Sequence, residues 1–154
     1  MERADLEYVS FWPRVAAAIV DTILLGLICW PLLFAIYGTS YWSQDGAFIK
    51  GPADFLISWV LPSVATVICW VYWQATPGKM AISARIVDAG TGTRPSVGQC
   101  VGRYLAMFLS AIPLGLGFIW VGLDRRKQGW HDKLAGTVVV RAKNSSPSPV
   151  AFDG

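Results

Sequence analysis

Residues 11–37 read F-W-P-R-V-A-A-A-I-V-D-T-I-L-L-G-L-I-C-W-P-L-L-F-A-I-Y. After Arg14, the only strongly polar side chain in this run is that of Asp21, with Thr22 beside it. At ~1.5 Å per helical residue, 15–37 spans roughly 34 Å, enough to cross a bilayer core. An ionised carboxylate near the middle of such a helix costs ~2.5–3.5 kcal/mol on insertion scales, so Asp21 needs a reason to be there. Arg14 precedes it by nearly two turns and lies on the same helix face. An interfacial arginine and a submerged aspartate on one helix are the signal to explain.

Two further apolar blocks lie at 55–73 and 104–123. Together the three blocks make the chain of 154 residues 54% hydrophobic and 15% charged, with a mean hydropathy of +0.46. Soluble domains carry about 25% charged residues, so this is an integral membrane protein without a large soluble domain. The net charge of +3 is not a nucleic-acid footprint, because the basic residues sit beside apolar blocks and form no continuous patch. Cys29, Cys69 and Cys100 have no disulfide or metal spacing and read as small packing residues. The first block is too long for a signal-peptide core and reads as a retained anchor.

Phe11 and Trp12 belong at headgroup level, and Pro13 suits a first helical turn. Tyr37, Tyr41 and Trp42 form the opposite aromatic belt. Pro31 and Pro62 are expected to bend the first and second helices, with Ser58, Ser63 and Thr66 available to satisfy freed carbonyls. Thr76-Pro77-Gly78-Lys79 reads as a short helical turn and lacks the spacing of a phosphate loop. Ile82–Asp88 and residues 137–141 read as short strands, and Ser96-x-x-Gln99 as a capping box.

Arg3 and Arg14 precede or open the first helix, and Lys50 alone lies between helices one and two. Lys79, Arg85, Arg94 and Arg103 follow the second helix; Arg125, Arg126, Lys127, Lys133, Arg141 and Lys143 follow the third block. The positive-inside rule places both termini and residues 74–103 in the cytoplasm, which three full crossings cannot do. The P-x-G-x-G centre of the third block, at Pro113, Gly115 and Gly117, lets it turn back to the same face. The expected fold is mainly α: two transmembrane helices and a broken third segment, re-entrant or interfacial in preference to a third span. A small cytoplasmic two-stranded β element accompanies them. The expected organisation is a flexible 1–10, a membrane domain over 11–142 with helices at about 14–36, 55–74 and 97–123, and a disordered tail over 143–154.

With these pieces placed, the chain resembles the RDD family of small bacterial membrane proteins, named for one arginine and two aspartates. Arg14 and Asp21 match the family's first-helix pair. Thr76–Lys79 matches its T-x-G-K turn, Ile86–Asp88 its strand ending in V-D, and His131–Val140 its closing H-D-x-L-A-x-T-x-V-V. Asp132 takes the place of the second named aspartate, with Asp124 as the alternative. The resemblance implies a multi-pass protein of the bacterial inner membrane and leaves the activity open, with transport among the proposals.

Two readings compete for Asp21: an intramembrane proton- or cation-binding site, or a structural lock onto a basic side chain from 74–103 or 124–133. Arg14, Arg103 and Asp132 are expected to form its charge network, and Asp132 to cap the short helix before the last strand or to pair with a nearby arginine. Lys79, Arg125, Arg126 and Lys127 are expected to contact lipid headgroups. One histidine, His131, cannot build a multi-histidine metal centre, and no nucleophile–base pair or cofactor motif is evident. The function expected is therefore a small oligomeric transporter-like protein and not an enzyme. The alternative is an accessory subunit that docks a membrane-protein partner through its cytoplasmic face.

Overall fold

The structure, a computed structural model, describes residues 6–43 and 46–142. Among the described residues, two helices are long and apolar enough to cross a membrane: α1 (Phe11–Tyr37) and the continuous helical run Pro52–Trp73. They are joined through the short α2 (Ser40–Ser43). Ile19, Ile23, Leu27 and Ile28 of α1, with Leu56, Leu61 and Val64 of the second run, face outward, as lipid-facing side chains do.

The second run divides into α3 (Pro52–Phe55), a π-helical turn (Leu56–Val60) and α4 (Leu61–Trp73). Pro62 has no N–H to give the Ser58 carbonyl, and the widened turn lies directly ahead of its ring. Ser63 Oγ donates to the Trp59 carbonyl at 2.5 Å, supplying a bond where the ladder is disturbed. Cys29 Sγ contacts the Ile57 carbonyl at 3.4 Å, tying α1 to the same turn.

Beyond α5 (Pro77–Ala81) and β2 (Ala84–Asp88), the third apolar block forms α6 (Val97–Ala111) and α7 (Leu116–Leu123). Their axes bend by 100° at the break. The capping box expected at the start of α6 is present: Gln99 N donates to Ser96 Oγ and Ser96 N to Gln99 Oε1. At ~1.5 Å per residue neither half spans the ~30 Å hydrocarbon core alone. The short α8 (Trp130–Ala135) and β3 (Thr137–Ala142) complete the described chain.

The sheet has three strands, one more than expected, in the order β1-β3-β2 with β1 at Leu6–Tyr8. β1 therefore belongs to a segment read from sequence as flexible. Three residues preceded by Asp5 and centred on Glu7 carry too little periodicity to read as a strand, yet β3 offers them an open edge. Tyr8 pairs with Val140 and Leu6 with Ala142, while Arg141 Nε bonds Glu7 Oε1 across the ladder at 2.5 Å. On its other side β3 pairs antiparallel with β2, from Ala84↔Arg141 to Asp88↔Thr137. Ile86 and Val139 pack with Trp70, Cys100 and Val9 on one face; Val87, Val138 and Val140 cluster on the other.

This sheet constrains the crossings. Strands before α1, after α4 and after α7 hydrogen-bond to one another, so all three lie on one side of the membrane. Two membrane-crossing helices separate β1 from β2, which satisfies that condition. Between β2 and β3 the chain must enter and leave by the same face, which the bent α6–α7 pair does. The expected tail, 143–154, lies outside the described residues.

Candidate functional site

Three of the charged residues singled out in sequence, Arg14, Arg103 and Asp132, meet where α1, α6 and α8 converge. Asp132, in the first turn of α8, is fully buried at 0% exposure and stands between two arginines. Arg14 Nη1 donates to its Oδ2 at 2.6 Å, and Arg103 Nη1 lies against its Oδ1. Oδ2 also accepts the Gly129 N–H at 3.1 Å, so Asp132 caps α8 while bridging the arginines. Arg14 further donates to the carbonyls of Val9 (3.1 Å) and Lys127. Arg103, 1% exposed, also reaches Thr137 Oγ1 at 2.9 Å and stacks 5.2 Å from the Trp70 ring. One carboxylate thus fastens α1, α6, α8 and the start of β3 together. A buried pair of this kind survives desolvation only when such hydrogen bonds complete it.

Asp21 is not part of that bridge. Its Oδ2 accepts from Thr76 Oγ1 at 2.5 Å and its Oδ1 from Gly78 N at 2.7 Å. Its hydrogen bonds thus go to the neutral donors opening α5, whereas the structural reading of the sequence looked to a basic side chain. Thr76 correspondingly sends its hydroxyl to Asp21 and not to its own helix. Gly78 seats α5 against α1, for a Cβ there would stand 1.9 Å from the Ala17 carbonyl oxygen. A second tight crossing lies at Gly117, where a Cβ would come 2.6 Å from Ser110 Cα, letting α7 fold onto α6.

Sequence reasoning passed over His131 as a structural element. It is buried, with Nδ1 3.3 Å from Ser110 Oγ, its backbone N–H donating to the same oxygen, and its ring against Phe118. Burial first, then the cations of Arg103, Arg14 and Lys79, push its pKa down to about 2, so the ring is neutral. The Ser110–His131 contact carries no local signal, because it depends on how α6 and α8 pack.

The residues assigned to headgroups separate. Lys79 lines a cavity of about 410 Å³ together with Arg14, Arg103 and His131. Phe11, Val15, Met107 and Phe118 supply apolar wall. Burial first, and the neighbouring Arg103 next, lower the Lys79 pKa to about 8, against the opposing pull of Asp21. Arg126 turns to the sheet, donating from Nη2 to the Ala89 carbonyl at 2.7 Å. Lys127 Nζ reaches the Gly122 carbonyl at 3.3 Å, and Arg125 is exposed. Asp124, the alternative second aspartate, pairs with Lys133 at 2.8 Å outside the cluster. That bond is the first cause of its lowered pKa.

The RDD family model matches residues 8–136, a range that includes Arg14, Asp21, Arg103 and Asp132. The chain belongs to the RDD family. This RDD protein is 31% identical over 149 residues to Uncharacterized protein YxaI of Bacillus subtilis (strain 168), covering 85% of this chain and 95% of that one. It is 40% identical over 73 residues to Uncharacterized protein RP437 of Rickettsia prowazekii (strain Madrid E), covering 47% of this chain and 40% of that protein. No solved structure matches it.

Proposed function

We propose that this RDD protein is a small, oligomeric, transporter-like protein of the bacterial cytoplasmic membrane, with its sheet and both termini on the cytoplasmic side. The observation that carries the reading is the cavity bordered by Arg14, Lys79 and Arg103 inside a membrane domain. Ionisable groups are costly there and commonly mark a solute or proton path. Two spans enclose no pathway alone, so transport requires self-association, and the outward-facing apolar side chains of α1 and α4 offer surface for it.

Asp21 has the part of a proton-binding carboxylate. In its ionised form it accepts from Thr76 and Gly78 and so holds α5, which carries Lys79, against α1. A proton on one oxygen removes an acceptor, loosens α5 and shifts Lys79 at the cavity. The test is proton flux in proteoliposomes, comparing wild type with Asp21→Asn. An asparagine can accept from Gly78 N while its amide donates to the Thr76 hydroxyl, so the variant is expected to fold and to lose flux. Wild-type protein without flux under any Na⁺, K⁺, Li⁺ or pH gradient would reject the reading.

One observation favours an accessory role instead. Both oxygens of Asp21 are already engaged in holding α5, as a purely structural residue's would be. On that reading Asp21→Asn mislocalises or destabilises the protein, and a stoichiometric membrane-protein partner is recovered from native membranes.

A further inference from the structure

We propose that the cavity between α1, α5, α6, α7 and α8 binds the phosphate group of an amphiphilic molecule. The inference rests on the reading of this cavity as the solute site and specifies the chemistry of that solute. The balance of charge around the cavity is cationic. Arg14, Lys79 and Arg103 border it, whereas the nearby carboxylates, Asp132 and Asp21, are already committed to the arginine bridge and to α5. A cation entering here would meet three positive side chains; an anion would meet donors that still need acceptors.

One such donor lines the cavity, and a second is buried in its wall. Lys79 Nζ has no hydrogen-bond or ion-pair partner among the described residues, though its side chain lines the cavity. Arg103 is 1% exposed and keeps a buried Nε without a partner among them. An unpartnered donor on a charged group is expensive, and an acidic oxygen that reaches Lys79 Nζ removes that cost. Ammonium and guanidinium donors approaching from different helices suit the several oxygens of a phosphate.

The walls indicate what carries the phosphate. Phe11, Val15, Met107 and Phe118 are apolar, and about 410 Å³ holds a headgroup with the first part of a tail. Depth agrees: Arg14 is in the first turn of α1, beside Trp12, whose ring is 75% exposed at the level where aromatic belts meet headgroups. A membrane phospholipid and a water-borne phosphate share the recognising chemistry, and titration separates them.

Full-length protein in a maltoside detergent would be titrated calorimetrically with dioctanoyl phosphatidate, dioctanoyl phosphatidylcholine and inorganic phosphate. Saturable phosphatidate binding is expected, with weaker binding of the zwitterionic lipid. Lys79→Gln is expected to reduce phosphatidate affinity about tenfold or more, and Lys79→Arg to restore most of it. Ala18→Trp, on an exposed position of α1 at the cavity, leaves every charge in place and is expected to block entry. Inorganic phosphate binding as tightly as phosphatidate would support the phosphate site and reject the amphiphile. Absence of phosphate-selective binding in folded wild type, or binding indifferent to both Lys79→Gln and Ala18→Trp, would overturn the proposal. Binding is read without transport: binding without flux leaves the site standing and removes the transport reading, whereas flux without binding does the reverse.

Discussion

Two buried aspartates, at opposite ends of the membrane domain, are satisfied by contrasting means. Asp132 lies between Arg14 and Arg103, the first of them 118 positions away in sequence. Asp54, 2% exposed in the first turn of α3, is held almost entirely by near neighbours. It accepts from Ser58 Oγ (2.8 Å), Tyr41 Oη (3.0 Å) and Lys50 N (2.8 Å), while its own N–H donates to Tyr37 Oη at 3.1 Å. The Asp54 knot closes one loop between two spans. The Asp132 bridge fixes the relation of α1, α6, α8 and the sheet. Charge is spent on the assembly of distant elements, and neutral hydroxyls suffice for local closure.

That contrast is broken most forcefully at Asp132. Asp132→Asn leaves two buried arginines without their counter-ion, a change expected to cost about 3–5 kcal/mol. Unfolding from detergent micelles by a denaturing detergent would register it, together with exposure of the sheet to protease. A loss near 1 kcal/mol would mean that the arginines find other acceptors and that the bridge is not the main fastening.

The corresponding change at the other end should be smaller. Asp54→Asn keeps one acceptor oxygen for Ser58 and Tyr41 but sets an amide against the Lys50 N–H. The expected cost is about 1–3 kcal/mol, felt as local loosening of the connection between the spans. Hydrogen exchange over residues 46–58 measures it. Protection lost in the sheet as well would show that the two ends are coupled and the contrast is false.

The same difference governs what could be read before the structure. Submerged charges such as Asp21 and Arg14 are visible because an apolar context makes them conspicuous. The distribution of lysine and arginine, with the Pro113–Gly117 break, already argued that the third segment returns to its own side, and the three-stranded sheet requires the same. Strand β1 escaped because a three-residue strand owes its existence to the open edge of β3. The partners of Asp21 escaped for a related reason. Thr76 and Gly78 looked like a helix start, and only the approach of Gly78 to the Ala17 carbonyl explains both the glycine and the aspartate. Lys79 read as a headgroup contact because a lysine beside a span ordinarily is one; the cavity it shares with Arg14 and Arg103 could not be read, because it depends on α5 lying across α1.

A last test probes the ionic end by titration. Burial and the surrounding cations keep His131 neutral, with its pKa about 2 in the fold against 6.5 for a free imidazole. The unfolded chain therefore takes up a proton below pH 6.5 that the folded chain refuses until about pH 2. Stability must fall as pH falls through that window, by up to about 1.4 kcal/mol per unit from this group. Thermal midpoints between pH 7.5 and 4.5 should decline in wild type, and His131→Gln should flatten the decline. A wild-type curve already flat would mean that the ring accepts its proton in place. Asp132 Oδ2, 3.6 Å from Nε2, would then be drawing it in, and the bridge would count three cationic partners where the neutral ring leaves two.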